Sequence, residues 1–503
     1  MKYLLGIDFG GGASKATLIN VRGEIVCRAS SEYPMLYPHN GWAEQEPESL
    51  YQAFVQNVKS ILEQPGICAE DIAALSLDGG THIAVLLDEK NEVIRPAIYW
   101  SDTRSVQQAR LLEPYRERIA QLSRNTPGPL WTLPQLMWLR EREPEHFKRI
   151  AHILFLKDYI RYRITGNMAT DAIEAMGSML LDVNTGRWSP WLCSLCGVRV
   201  DQLPEIREPT DIIGTPVARV CHETGLSSRT LVCAGATDTA MEVYASGAIR
   251  TGQMTLKLAT AGRICPITDH AITDPFLVCY RHVIPGLWYP GTATKTCASS
   301  MRWYRDVLSG EERMREKQEK KSAYKLIDFA AEQIPAGSDG LFFHPYLQGE
   351  ITPYADAALR ASFTNVSSFH TKEHFDRAVM EGVAYSLRDC MEVLYRLGVT
   401  VNDTVRIIGG GSKSAVWRQI VADVLDMPLC QSLTDDSSVG SAMLAGVACG
   451  LFSSFEESVA VCSKAGGIVE PNPKNRQVYD HGFEIYRRIH DALEDIYHDL
   501  NEI

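Results

Sequence analysis

Twice in this chain an apolar run of strand length enters a turn built from the smallest residues and leaves through a second apolar run. The first instance is Tyr3 to Ile7, then Asp8-Phe9-Gly10-Gly11-Gly12-Ala13-Ser14-Lys15, then Ala16 to Asn20. The second is Gln253 to Leu258, then Ala259-Thr260-Ala261-Gly262, then Arg263 to Pro266. A corner of glycines and alanines lets a strand double back tightly, so each reads as a β-hairpin. Their separation by about 250 residues predicts two related halves, each opening with such a unit. The boundary falls near Ala248, giving residues 1–247 and 248–503.

The segments between fit an α/β class. From Pro47 to Leu62 the apolar Leu50, Phe54, Val58, Ile61 and Leu62 recur at helical steps. Ala73 to Leu77 reads as a buried strand that ends in Asp78-Gly79-Gly80-Thr81-His82, followed by a strand AVLLD. A helix is predicted over 144–164, closed by Thr165-Gly166. Leu231 to Asp238 is a strand feeding a helix to about Gly247. Val405 to Leu425 is a strand, the triple glycine Gly409-Gly410-Gly411, and a helix, a turn that lets backbone N–H groups approach a phosphate closely. The small residues of Val439 to Gly450 suit close helix packing, and the mixed charges of 311–321 a solvated helix face.

Composition narrows the class further. An apolar fraction of 45% and a charged fraction of 22% are those of a globular chain. The net charge of −12 is interspersed and forms no basic arm for nucleic acid or an anionic membrane. No run is long enough to span a bilayer, and Asp8 interrupts the apolar N-terminus before a signal core could form. Thirteen cysteines set among apolar neighbours point to buried thiols and a cytoplasmic home, and Cys193 with Cys196 has no second pair to complete a zinc site.

Three small-residue turns after buried strands suggest a clamp around a nucleoside triphosphate, although neither a P-loop string nor a dinucleotide fingerprint is present. Phosphoryl transfer needs a metal and a group to take the acceptor's proton. Asp8, beside the first turn, could hold Mg²⁺, and Asp238 could be the base, while each could equally cap the turn or helix next to it. Thr81 and His82 would lie on a ligand-facing loop, though a histidine there is as readily structural. Trp100, Asp102 and Arg104 could line a sugar pocket or form an internal ion pair.

These residues resemble the FGGY family of carbohydrate kinases, and within it most closely the xylulokinases. The resemblance rests on GIDFGGGASK, on IRPAIYWSDTR (94–104), and on the signature-like stretches PQLMWLREREPEHF (134–147) with LKDYIRYRITG (156–166). It continues through LFFHPYLQGEITP (341–353), ASFTNVSSFHTKEHFDRAVME (361–381) and GGGSKSAVWRQIVADV (409–424). It implies two domains of the actin and sugar-kinase ATPase fold, ribonuclease H-like, with the site in the cleft between them. The sugar side would be 1–247 and the nucleotide side 248–503. It further implies transfer from ATP with Mg²⁺ to a terminal hydroxyl of a ketopentose, with Asp238 as base and Asp8 near the metal. Thr81, His82, Trp100, Asp102 and Asp238 would meet the sugar. Gly10, Gly11, Gly12, Ser14, Lys15, Thr260, Ala261, Gly262, Gly409, Gly410, Gly411 and Ser412 would meet ATP. The partner is a small sugar, not nucleic acid or membrane, and a homodimer is a compatible assembly.

The departures concern the substrate. Thr81 replaces the xylulokinase Met beside His82, Thr239 replaces the usual Asn after Asp238, and the second turn has lost a hydroxyl residue at Ala261. Gln135 and Asn365 replace a signature lysine and glycine. Another polyol, an L-ketopentose, a ribulose or a sugar acid is the alternative substrate, and a non-catalytic nucleotide-binding regulator the alternative class.

Overall fold

The structure, a computed structural model, describes residues 1–434 and 436–501. Its opening unit is β1 (Tyr3–Phe9), β2 (Ala13–Asn20) and β3 (Ile25–Glu32), an antiparallel meander in which Asp8 stands opposite Lys15. After α1 (Pro47–Leu62), β4 (Ile72–Gly79) adds parallel to β1. Strands β5 (Ile212–Gly214) and β6 (Leu231–Cys233) extend this edge, and the short β7 (Ala236–Thr237) also pairs with β4. The first sheet thus runs β5-β6-β4-β1-β2-β3.

Helix α2 (Asp238–Ala245) leads into the second half. There β8 (Met254–Leu258) and β9 (Gly262–Pro266) form the second hairpin, joined by β10 (Val278–Arg281) and β11 (Trp288–Thr294). Past the long α3 (Lys372–Arg396), β12 (Val405–Ile408) pairs parallel with β8, as β4 does with β1. Then come α4 (Ala415–Leu425), β13 (Leu429–Ser432), α5 (Ser437–Ala448) and β14 (Ala465–Val469). The second sheet runs β10-β11-β9-β8-β12-β13-β14. The molecule is therefore α/β with two mixed sheets, each built on a hairpin plus a parallel strand.

One segment departs from the helix expected over 144–164. A five-residue helix, Pro144–Lys148, gives way to a strand, His152–Phe155, before helix Leu156–Thr165 resumes and ends on left-handed Gly166. The apolar Ile153, Leu154 and Phe155 are consumed by antiparallel pairing with Ala84–Leu87, so tertiary pairing overrides the local helical period.

Strand alternation gives the first sheet two faces. Leu5, Ile7, Phe9, Ala16 and Leu18 pack with α1 in one core, while Leu4 and Ile19 join a core that contains Ala442 to Ala445 of α5. A helix from the second half thus covers the first sheet, and it lies so close that a β-carbon on Gly6 would stand 1.8 Å from the Ser438 carbonyl oxygen. Gly6→Ala should therefore destabilise the fold by about 1–3 kcal/mol or more through overpacking, read as a lowered Tm. An unchanged Tm would show that α5 can move away from the sheet.

Among the described residues no helix is long and apolar enough to cross a membrane. All thirteen cysteines are free, and burial pushes Cys193 and Cys196 each up to about 12.

Candidate active site

Three strand ends deliver three carboxylates to one place. Asp8 of β1 and Asp78 of β4 are register partners, β7 sets Ala236 beside Asp78, and two residues later Asp238 opens α2. Asp8 and Asp78 are buried. Burial first, then the charge of Asp238, pushes Asp8 up to about 7. Burial first, then Asp8, holds Asp78 well above the usual carboxylate range. Ser441 of α5 donates to Asp78 Oδ2 at 2.5 Å, whereas Oδ1 is buried without a partner. Asp238 is half-buried, and its Oδ1 accepts from the Thr239 N–H at 2.5 Å and the Thr239 hydroxyl at 3.2 Å.

This set fits a magnesium ion. The donors are hard carboxylate oxygens, one of them orphaned, and their mutual repulsion is what a dication would relieve. Among the described residues, the trio with ligand atoms close enough to cage an ion is instead Asp356, Glu494 and His498, at the surface.

The first turn is held from below. Tyr33 donates to the Gly10 carbonyl at 2.7 Å and Gln45 to the Gly10 and Gly11 carbonyls at 3.2 and 3.1 Å. Gly12 and Lys15 are exposed. Ser14, expected among the ATP donors, is instead fully enclosed, because alternation along β2 turns it with Ala16 and Leu18 towards α1. What this turn presents is backbone and the Lys15 side chain, which lies across from Asp8.

The second and third turns meet at a cavity of about 460 Å³ lined by Ala259, Thr260, Gly410, Gly411, Tyr324 and Asp328, among others. The Thr260 carbonyl accepts from Cys297 N–H at 3.0 Å and the Ser299 hydroxyl at 2.7 Å, which fixes that turn, while Ala261 is exposed and Gly262 buried at the start of β9. Gly409 adopts φ 90°, and a β-carbon there would stand 2.8 Å from the Leu258 carbonyl oxygen, so only glycine brings the two turns together. Ser412 is buried and donates to the Gly409 carbonyl at 2.7 Å, which holds the loop's own shape.

On the other side, His82 is enclosed between Trp131 and Tyr280, at ring distances of 4.5 and 6.0 Å. Its Nδ1 lies 2.6 Å from the Gly177 carbonyl, which can only accept, so Nδ1 carries the hydrogen and Nε2 accepts from the Tyr280 hydroxyl at 2.6 Å. Burial pushes the imidazole down to about 3 and keeps it neutral. Both ring nitrogens are engaged by protein. Thr81 is buried, and its hydroxyl makes no hydrogen bond among the described residues. Trp100 is exposed at the rim, 5.5 Å from the Tyr99 ring. Asp102 is occupied internally: it accepts from Arg104 through both oxygens, at 2.9 and 2.7 Å, and from the Ala43 N–H at 2.6 Å. Arg104 also pairs with Glu44 at 2.7 Å and lies over Trp42.

Several residues of this site carry no local sequence signal. Tyr280 reaches His82 from the second sheet, and Lys257 of β8 clasps both oxygens of Glu242 at 2.6 Å, fixing the helix that begins at Asp238. Asp78 did carry one, since like Asp8 it ends a buried strand.

Residues 3–244 match the N-terminal domain, and residues 251–449 the C-terminal domain, of the FGGY family of carbohydrate kinases. A xylulose kinase of Bacillus subtilis is 31% identical over 500 residues, 99% of this chain and 98% of its own. Two solved structures of Lactobacillus acidophilus proteins share the fold closely. The ligand-bound xylulose kinase superposes with a TM-score of 0.92 at 26% identity, covering 99% of this chain and 100% of its own. The gluconate kinase superposes with a TM-score of 0.91 at 26% identity, covering 99% of each chain.

Proposed function

The chain belongs to the FGGY family of carbohydrate kinases, and on that premise we propose that it moves the γ-phosphoryl group of ATP to a terminal hydroxyl of a xylulose-like ketopentose. The observation that supports this most is the carboxylate group of Asp8, Asp78 and Asp238, gathered where the two halves meet. Residues 248–503 would supply the nucleotide side, with adenosine in the cavity behind Gly410 and Gly411. Residues 1–247 would supply the sugar side, around Thr81 and Trp100. His82 would shape that side by holding Tyr280 rather than by offering a ring nitrogen.

In this reading Asp238 accepts the proton of the sugar hydroxyl as its oxygen bonds to the γ-phosphorus and the bond to the departing ADP breaks. Thr239 keeps the Asp238 carboxylate turned by its two bonds to Oδ1. Mg²⁺, when bound, would offset the charge that spreads over the phosphate oxygens. Asp8 and Asp78 would hold it, in part through water. The free thiols suit a reducing cytoplasm.

The test is ADP release by the purified protein over ketopentoses, polyols and sugar acids. A ketopentose should stimulate release; ATP binding with no stimulation by any sugar would sink the reading. Thr81→Met gives a second test. With no hydrogen-bond partner among the described residues, the Thr81 hydroxyl is available to a sugar oxygen, so the change should weaken the native substrate by about 1–3 kcal/mol and raise relative kcat/KM for xylulose. A constant ratio between sugars with a lowered Tm would make Thr81 structural. A sugar acid is a second reading, supported by the close superposition of the gluconate kinase.

A further inference from the structure

The last helix, α6 (Arg476–Leu500), carries His490, Glu494 and His498 at successive four-residue steps. Side chains on a helix lean toward its N-terminus, so Glu494 reaches back over the turn that holds His490, and His498 over the turn that holds Glu494. Asp356 meets this stripe from the loop that follows Pro353. Ligand atoms of Asp356, Glu494 and His498 all lie within 4.8 Å of one another, and His498 Nε2 stands 2.7 Å from Asp356 Oδ2. An ion pair would account for that last contact. It does not account for His490, which is 3% exposed and whose Nδ1 is buried without a partner. Tyr354 stacks on the His490 ring at a centroid distance of 3.6 Å, and Tyr346 meets it edge-on at 5.9 Å. The protein thus satisfies the ring's faces and leaves that nitrogen unpaired, which is costly unless a ligand takes it. Burial lowers the imidazole from its ordinary value and keeps it neutral, the form that ligates a metal, while Glu494, Asp491 and Asp356 lie near enough to pull the other way.

We propose that Asp356, Glu494, His498 and His490 hold a divalent transition metal of the zinc class, at a site that shares no residue with the carboxylates of the kinase cleft. Two imidazoles and two carboxylates are a zinc-type donor set, and four protein ligands make a closed, structural site. Magnesium and calcium prefer oxygen throughout. Ligands four residues apart on one helix face can meet a single ion. On binding, the metal takes the place of the proton shared between His498 Nε2 and Asp356 Oδ2, and that proton leaves to solvent. Asp356 is already held for this. Its Oδ1 accepts from the Ala358 N–H at 2.7 Å, its backbone exchanges two bonds with Glu350 at 2.8 and 3.0 Å, and Asn501, just past the end of α6, donates to the Ala358 carbonyl at 2.7 Å. The Glu350 carboxylate in turn accepts from the Thr294 hydroxyl at 2.6 Å and the Lys295 N–H at 2.7 Å. The metal would therefore clasp the last helix to a loop that is tied to the end of β11.

The experiment titrates Zn²⁺ into the intact, chelator-stripped protein by calorimetry, with Mg²⁺ in excess to occupy the kinase site, and records Tm with and without Zn²⁺. It compares the wild type with His498→Ala, Glu494→Gln and His490→Phe. The wild type should bind one Zn²⁺ that raises Tm. Each variant should bind it about tenfold more weakly or worse, since losing even a group that only supports a ligand typically costs about 10- to 100-fold in metal affinity, and should show a smaller rise in Tm. Turnover with Mg²⁺ should not change in His498→Ala. No Zn²⁺ bound by the wild type overturns the proposal and leaves His498 and Asp356 as an ion pair. Equal stoichiometry and affinity in His498→Ala and the wild type overturns it by moving the metal to the cysteines or to the kinase cleft. Unchanged affinity in His490→Phe overturns the four-ligand site, and Ca²⁺ bound as tightly as Zn²⁺ overturns the metal class. If His490→Phe does not fold, the two variants of the surface residues still decide.

Discussion

Asp238→Asn is expected to lower turnover at saturating ATP and sugar by about 10² to 10⁴, the usual worth of a general base, while leaving the binding of both nearly intact. The bonds Thr239 makes to Asp238 Oδ1 need only an acceptor, which the asparagine carbonyl oxygen also is. What the amide lacks is the ability to take the hydroxyl proton. The substitution also removes a negative charge that raises Asp8, so the protein without metal should not lose stability. Single-turnover rates with independently measured dissociation constants separate the two effects. Retention of more than a tenth of the wild-type rate would exclude Asp238 as the base, and a joint loss of binding and Tm would make it a structural cap.

The readable parts of this molecule are those in which neighbouring residues specify one another. Small corners between apolar runs announce both hairpins, helical spacing announces Pro47–Leu62 to the residue, and the small residues of 439–450 announce a closely packed helix, although that it packs on β1 is visible only in the structure. Asn365 shows a departure explained locally: it adopts φ 66°, a conformation asparagine tolerates better than most residues. What stayed hidden depends on partners far along the chain. The strand His152–Phe155 exists because Ala84–Leu87 is there to pair with it. The engagement of both His82 nitrogens needs Tyr280 from the other half. Ser14 was misleading for a subtler reason: the turn fixes where β2 begins, and only the alternation of β2 against α1 decides which side its hydroxyl faces.

Asp8→Asn should have opposite effects on stability and on catalysis. In the native protein Asp8 is pushed up to about 7, whereas an unfolded aspartate ionises near the ordinary value of 3.8. Between those values the folded state holds a proton that the unfolded chain has released, so stability falls as pH rises from about 4 through about 7 and is level above. The gap corresponds to an upper limit on the order of 4 kcal/mol, shared with Asp78. Mg²⁺ should reverse the loss, most at pH 8, by binding the ionised pair. Asparagine at position 8 removes one of the three like charges of Asp8, Asp78 and Asp238. The metal-free variant should therefore melt higher than the wild type at pH 8, its Tm should vary less between pH 5 and 8, and Mg²⁺ should raise it less. Turnover should drop by about 10² or more, because a metal that stabilises transition-state charge is worth several kcal/mol, and the Mg²⁺ concentration at half-maximal rate should rise. Melting curves across that pH range with and without Mg²⁺, set beside Mg²⁺ titrations of rate, test all of this together. An unchanged Mg²⁺ requirement would take Asp8 out of the metal site, and a lower Tm for the metal-free variant at pH 8 would mean that the Asp8 and Asp78 carboxyls already share a proton that the fold needs.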